Sequence, residues 1–319
     1  MKRQSKAAPL IRLGTRGSKL ALAQADETKR RLGDAHAELA AEGAVEIVVI
    51  KTTGDTVQDR ALAEIGGKGL FMKEIETALI NQRIDIAVHS LKDVETFLTE
   101  GTELAAILPR EDPRDALISR VAERIEELPE GAVIGTASVR RAAQILHIRP
   151  DFRIILYRGN VDSRLRKLEE GVCDATMLAI AGLRRLGIAS KATCVLEPEE
   201  VLPAVSQGAI AVQCRSAGQR GDKRILDWVR GINDRDSECR VTAERAMLAR
   251  LDGSCRTPIA GLAEILPGGT LRLRGQLAGR DGRTLFSADE TGSMDDPVTL
   301  GMKVGEALIT QAGPDYKVH

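Results

Sequence analysis

Aromatic residues are scarce, with Phe, Tyr and Trp together making up 2% of the 319 residues. A surface that stacks single-stranded bases needs aromatic platforms, so that class of function is disfavoured. Net charge is also lacking, because 46 Lys and Arg balance 46 Asp and Glu. This argues against a globally basic nucleic-acid binder and against an acidic disordered chain. No run of about 18 apolar residues is present to cross a bilayer. Residues 1–9 are polar and basic, and Arg12, Arg16 and Lys19 interrupt the first hydrophobic stretch, so no secretory signal is expected. The five cysteines (Cys173, Cys194, Cys214, Cys239 and Cys255) are odd in number, widely spaced and free of any C-x-x-C pair. Neither a disulfide framework nor a zinc site follows, and a reducing cytoplasm is the expected compartment.

What remains is an ordinary globular composition, 43% hydrophobic and 29% charged, long enough for two or three domains. Strands and helices alternate from the start. The pattern predicts strand 10–14, helix 18–39, strand 45–51, a long mobile loop over 52–67, helix 70–81, and strands 84–88 and 103–108. It restarts with strand 132–135, helix 138–148, strand 153–157, helix 161–170 and strand 174–178. Such alternation predicts parallel sheets with crossover helices. From about residue 227 the order changes to a helix over 237–251, antiparallel strands 259–265, 270–278 and 284–288, and a closing helix over 298–311. The expected architecture is two similar α/β units and a smaller α+β unit.

Four strand ends share one feature. Arg16, Ser18 and Lys19 follow the first strand, and Ser90, Lys92 and Asp93 follow strand 84–88. Thr136, Ser138, Arg140 and Arg141 follow strand 132–135, and Arg158, Asn160 and Arg164 follow strand 153–157. Each junction offers an N-cap residue and then a cation within about one turn. A helix N-terminus is already electropositive, and a cation there costs up to about 1 kcal/mol. Any one of these cations has a bland alternative as a solvated surface residue. Four together point to a bound polyanion at the carboxyl edge of the sheets. Residues 140–167 alone carry an excess of six positive charges, mostly arginine, which captures carboxylate or phosphate bidentately.

Three further features carry weaker signals. Gly66-Gly67-Lys68-Gly69 fails the P-loop template, because Gly69 stands where Ser or Thr is needed and Leu62 where the first glycine belongs. Lys68 remains a candidate anion contact. Asp93 is the best catalytic carboxylate, suited to stabilising a developing cation or moving a proton. Its alternative is a capping box with Ser90, in which it would cap a helix beginning at Leu91. Cys255 lies on a loop between Gly253 and Pro258, beside Arg256, where a thiol is more accessible and more ionised than in a core.

These junctions together resemble the porphobilinogen deaminase (hydroxymethylbilane synthase) family over nearly the whole chain. The matching stretches are 14–24 (GTRGSKLALAQ), 66–71 (GGKGLF), 85–94 (DIAVHSLKDV), 111–115 (EDPRD), 135–141 (GTASVRR), 158–160 (RGN), 202–208 (LPAVSQG) and 244–247 (ERAM) leading to Cys255. Eight stretches in order and spacing make the resemblance strong.

The resemblance implies two domains like type II periplasmic binding proteins plus a small α+β C-terminal domain. The boundaries would be 1–108 with 208–225, then 109–207, then 226–319. It implies a dipyrromethane cofactor in thioether linkage to Cys255. Porphobilinogen units would add one at a time with loss of ammonia, and water would release the linear tetrapyrrole. Every pyrrole carries an acetate and a propionate, which accounts for the cations. By the resemblance Asp93 is catalytic, Lys92, Thr136, Ser138, Arg140 and Arg141 contact the cofactor, and Arg16, Ser18, Gln24, Lys68, Phe71, Arg158, Arg164 and Gln207 contact substrate. The expected partners are porphobilinogen and its oligomers, with no nucleic acid and no membrane, and the expected state is a monomer. The sequence departs from the family at Glu95, which replaces a proline, at Glu64, which replaces a lysine of some relatives, and at Ser206, which replaces a common glycine. A non-catalytic anion-binding module would leave Cys255 idle. A nucleotide-dependent transferase is weakened by the failed P-loop, and a DNA-binding regulator lacks its helix pair.

Overall fold

The computed structural model describes residues 8–53, 72–217, 222–252 and 257–313. Residues 54–67 of the loop expected over 52–67, the glycine motif with Lys68, Phe71 and the segment with Cys255 lie outside the described residues. Packing divides the chain into two units. The described residues of the first fall within 8–53, 72–109 and 210–238, and those of the second within 110–209 and 239–313.

The first unit is built on strands β1 (Ile11–Thr15), β2 (Val45–Val49), β3 (Ile86–Ser90), β4 (Thr102–Ile107) and β10 (Ile210–Arg215), in the order β2-β1-β3-β10-β4. Helices α1 (Lys19–Ala35) and α2 (Lys73–Ile80) lie between its parallel strands in the chain. β1 runs parallel to β2 and β3, but β10 is antiparallel to both β3 and β4. The expectation of parallel sheets is corrected to mixed ones. The reason is non-local: β10 enters the sheet about 100 residues after β4, and periodicity within the first segment carries no trace of it. All six residues of β10 are buried. Gln213 and Arg215 break its apolar run, which hides it from a pattern search.

Helix α6 (Lys223–Arg230) buries Ile225, Leu226, Trp228 and Val229 in the core formed by Ile11, Leu13, Leu32 and Val212. Residues through 238 therefore pack with the first unit, beyond the expected start of a third domain at 226.

The second unit holds a mixed sheet in the order β7-β6-β8-β5-β9. Its strands are β5 (Asp115–Ser119), β6 (Val133–Gly135), β7 (Arg153–Ile155), β8 (Ala175–Ala179) and β9 (Cys194–Val195). β6 is parallel to β7 and β8, while β5 is antiparallel to β8 and β9. Helices α3 (Val139–Ile148), α4 (Val161–Glu169) and α5 (Ile180–Arg185) belong to this part.

The same unit contains the antiparallel sheet β11 (Ile259–Leu266), β12 (Thr270–Ala278) and β13 (Leu285–Ser293). Met247 from α7 (Arg235–Arg250) packs with Leu271 and Leu273 of that sheet and with Val304 and Leu308 from α8 (Pro297–Ala312). The α/β class with a small α+β C-terminal part is the architecture expected.

One departure from the family acquires a physical meaning here. Ser206 adopts φ of 63°, in the left-handed region, and its buried hydroxyl has no hydrogen-bond partner among the described residues. Glycine adopts that conformation without a Cβ penalty, and it carries no hydroxyl to desolvate. Ser206→Gly is expected to stabilise the protein by about 1 kcal/mol, the relief of strain and desolvation outweighing the added unfolded-state entropy. Urea unfolding of the two proteins checks this.

Candidate active site

In the first unit, β1 and β3 are parallel neighbours, with Leu13 opposite Ile86, so their carboxyl ends share one edge. Ser18 caps α1, its Oγ accepting from Ala21 N at 3.2 Å. Its extended backbone lets the chain turn from strand into helix, which leaves half-buried Arg16 at the strand end. Gln24 is buried on α1 and exchanges hydrogen bonds with the Ser90 hydroxyl: Nε2 donates at 2.8 Å and Oε1 accepts at 3.1 Å. The two strand-end junctions are thereby tied together.

After β3 the chain makes one 3₁₀ turn, Leu91–Asp93, and Val94 is already extended. No helix starts at Leu91, and Ser90 makes no side-chain cap there. The capping-box alternative for Asp93 is therefore removed, since a cap needs a helix to terminate. Lys92 and Asp93 are both partly buried. Among the described residues the Asp93 carboxylate accepts no hydrogen bond, so its lone pairs are not spent on holding the fold.

In the second unit, β6 and β7 are parallel and likewise end at one edge. Thr136 is buried, and its Oγ1 accepts from Ser138 N at 3.1 Å. Ser138 caps α3, with Oγ accepting from Arg141 N at 3.4 Å. Asn160 caps α4 by accepting from Ser163 N at 2.9 Å. Gly159 before it has φ of 133°, and a Cβ there would lie 2.2 Å from Ser163 Oγ, so this turn requires glycine. Arg158 is buried, its carbonyl accepting from Lys167 Nζ at 3.0 Å, and Arg164 Nε donates to Gly159 O at 2.9 Å.

Arg140 and Arg141 are the most deeply buried of the expected anion contacts, 5% and 6% exposed. Both already grip one carboxylate. Asp115 Oδ2 accepts from Arg140 Nη2 at 2.7 Å, and Oδ1 accepts from Arg141 Nη2 at 2.7 Å. Gln207, fully buried, donates its Nε2 to Asp115 Oδ1 at 2.7 Å and to Pro113 O at 2.7 Å. Burial pushes the Asp115 carboxyl up, but the two guanidiniums outweigh burial and hold it far below the ordinary carboxylate value. Arg140 is shifted down by burial and by Arg141 beside it, against the pull of Asp115.

Two cations on one anion leave one buried positive charge uncompensated, and Arg140 Nε is buried without a partner among the described residues. The excess of charge in 140–167 is smaller in space than in sequence. Arg149 pairs with Asp151 and Arg166 with Glu170, in addition to the two on Asp115. The surplus at Arg140 and Arg141 is the part that burial makes costly.

Asp115 had no role assigned from sequence, although it stands in the 111–115 motif. The available signal was an acidic residue immediately before the buried strand segment Ala116–Ile118. The described cysteines are ill suited to chemistry. Burial pushes the thiols of Cys173, Cys194 and Cys214 up, that of Cys214 to about 12, and Cys239 donates to Met294 O at 3.3 Å.

Comparison with known proteins agrees with this chemistry. The family model described as porphobilinogen deaminase, dipyromethane cofactor binding domain, matches residues 11–223, and that of the C-terminal domain matches residues 239–310. The chain is 55% identical over 306 residues to a porphobilinogen deaminase of Paracoccus denitrificans, covering 96% of each. It is 53% identical over 309 residues to a chloroplastic porphobilinogen deaminase of Oryza sativa, covering 96% of this chain and 85% of that protein. Among solved structures, a periplasmic substrate-binding protein of an ABC transporter from Coxiella burnetii aligns with a TM-score of 0.44 at 14% identity, covering 70% of this chain and 91% of that one. Among the described residues no helix is long and apolar enough to cross a membrane. The chain belongs to the porphobilinogen deaminase family, carries its dipyrromethane cofactor-binding domain, and acts as a porphobilinogen deaminase, a transferase of tetrapyrrole biosynthesis.

Proposed function

We propose that Asp93 is the catalytic carboxylate of this chain and that the strand-end cations hold the carboxylates of porphobilinogen and its oligomers. The observation that carries the assignment is the partly exposed Asp93 carboxylate, which takes no hydrogen bond among the described residues and caps no helix. It is free to accept a pyrrole N–H and to offset the positive charge left on the porphobilinogen methylene when ammonia departs. On the same unit, Lys92 supplies a cation adjacent in the chain and Arg16 one that follows β1, the parallel neighbour of β3. Arg158 and Arg164, on the second unit, supply guanidiniums on a turn fixed by Gly159 and Asn160.

The residues present fit a carboxylate-rich cofactor, because Arg140 Nε is an orphaned buried donor and its cluster retains one surplus positive charge. Bound through Cys255, the dipyrromethane supplies the primer for stepwise addition of four porphobilinogen units, with hydrolysis to hydroxymethylbilane at the end. Thr136 and Ser138 shape the backbone that presents α3 to that group, and Gln207 holds Asp115. Ser18 caps the helix behind Arg16, and Gln24 binds Ser90, so both support their neighbours in position. Lys68 and Phe71, expected at the substrate, are part of the same proposal.

Intact mass tests the anchor. Purified protein is expected to be heavier than its sequence by one dipyrromethane, and Cys255→Ser is expected to lose that excess and nearly all turnover. Active protein with an unmodified Cys255 would sink the assignment. A monomer working in the cytoplasm completes the proposal. The relatives from Oryza sativa and Pisum sativum are described as chloroplastic, so the compartment varies among similar chains.

A further inference from the structure

A chain of polar groups runs from exposed Thr99 and half-buried Glu76 inward to buried Thr102, Gln213 and His89, and its hydrogen-bond directions can be assigned one by one. His89 on β3 faces Ala211 on β10, which places Gln213 diagonally beside it on the same face of the sheet. Gln213 is fully buried. Its Nε2 lies 2.9 Å from Glu76 Oε1 and 2.9 Å from Thr102 Oγ1. The Thr102 hydroxyl gives its own proton to Thr99 O at 2.7 Å, so toward Gln213 it is an acceptor. Thr99 Oγ1 in turn donates to Glu76 Oε2 at 2.6 Å.

With acceptors on both sides of Nε2, the amide has one orientation, and its Oε1 faces His89 Nε2 at 3.0 Å. An oxygen can only accept, so the proton of the neutral imidazole sits on Nε2, and Nδ1 keeps its lone pair.

We propose that Gln213 is a positioning residue for the known reaction, holding His89 as the uncharged Nε2–H tautomer so that no positive imidazolium stands near Asp93 when the substrate cation forms. The proposal rests on Asp93 being the catalytic carboxylate. The charged groups acting on His89 are Glu76 from α2, Asp93 from the turn after β3 and Arg16 from the segment after β1. Glu76 and Asp93 favour a charged ring, while Arg16 opposes it. Burial is the largest influence and pushes His89 down to about 4. The amide is the device that lets a negative charge sit two groups away without reaching the ring. A carboxylate in the place of Gln213 would form an ion pair with His89, and the imidazolium would compete with the substrate cation for Asp93.

The test is a charge-conserving swap, Glu76→Gln with Gln213→Glu, which keeps the links from residue 76 to residue 213 and to Thr99 Oγ1, turns the Thr102 hydroxyl proton from Thr99 O toward residue 213, and moves the carboxylate one step toward His89. The chain has only four histidines, so ¹⁵N–¹H imidazole spectra of the cofactor-loaded enzyme resolve His89. The wild-type protein is expected to show the neutral Nε2–H form from about pH 5.5 to 8. The swap is expected to show His89 charged at neutral pH, with kcat lowered about tenfold or more there, recovering at higher pH, and KM little changed. A wild-type His89 that titrates near its ordinary value of about 6.5, or carries its proton on Nδ1, overturns the proposal. So does a swap with a charged His89 and an unmoved pH profile of kcat.

If the swap does not fold, Glu76→Gln alone lets the amide turn. It should admit the Nδ1–H tautomer and lower kcat several-fold, and a spectrum and kcat identical to wild type would refute the proposal. Full turnover by Asp93→Asn would sink the Asp93 assignment while leaving the His89 spectra as they are, so the two failures are distinguishable.

Discussion

Asp93→Asn is expected to lower kcat by about 10²- to 10³-fold while KM and the unfolding midpoint stay near their wild-type values. Asparagine keeps the shape of the side chain and one carbonyl-type acceptor, so a pyrrole N–H can still be held. What it removes is the negative charge. If the charge matters only once ammonia has left and a cation has formed, the loss falls on the transition state and appears in kcat. Stability should be insensitive for the reason that makes Asp93 a candidate: its carboxylate accepts no hydrogen bond among the described residues and no helix depends on it. Single-turnover kinetics with porphobilinogen and a thermal melt of the same preparation measure both halves. A variant with wild-type kcat would return Asp93 to a structural role. A variant that loses fold and rate together would remove the basis for assigning it to the chemistry.

Asp115→Asn is expected to behave in the opposite way, destabilising the protein by about 3–5 kcal/mol. The carboxylate is fully buried and receives Arg140, Arg141 and Gln207. Asparagine would leave two desolvated guanidiniums facing one neutral group, and each would repel the other without mediation. Urea unfolding measures the loss. Asp115→Asn with Arg140→Gln should recover part of it, since one buried charge is removed along with its partner.

The pH dependence follows from the direction of the shift. Because the folded Asp115 holds its proton far more weakly than an unfolded aspartate, its contribution is complete above the unfolded value of about 3.9 and is lost progressively as pH falls below it. Between about pH 5 and 8 this cluster should add no slope to stability, and an Asp115→Asn profile should run parallel to wild type in that range. Cofactor loading is a second readout. An Arg140 no longer held by Asp115 should bind a carboxylate-rich group in a looser geometry, and intact mass would then show a larger unmodified fraction.

The two expectations separate residues that looked alike in the sequence. Asp93 and Asp115 both lie in motifs dense with charge, and Asp93 had the stronger claim to a structural job through its capping-box spacing. In the fold, the spacing signal points at a helix that does not form, because Val94 turns extended after a single 3₁₀ turn. Asp115 is the structural carboxylate, and the residues that make it so lie 25, 26 and 92 positions away. Arg140 and Arg141 show the same limit from the other side. Their position after a strand end marks them as anion contacts, and no local pattern shows that a buried aspartate already occupies half of their capacity.

By itself the sequence determined the class of the fold and the helix starts at Ser18, Ser138 and Asn160, and its cation placement pointed to a polyanionic ligand. Caps, periodicity and cation placement are local properties, decided by backbone hydrogen-bonding needs within a few residues. Through its eight ordered motifs it also determined the family. Only the tertiary structure decided that β10 and β5 run antiparallel to their neighbours, that residues 226–238 pack with the first unit, and which charges are spent on the fold. Those outcomes depend on partners far apart in the chain, such as Gln213 with His89 and Asp115 with Arg140. Such pairs are chosen by burial, because a desolvated polar group is stabilised by whichever partner the fold brings to it.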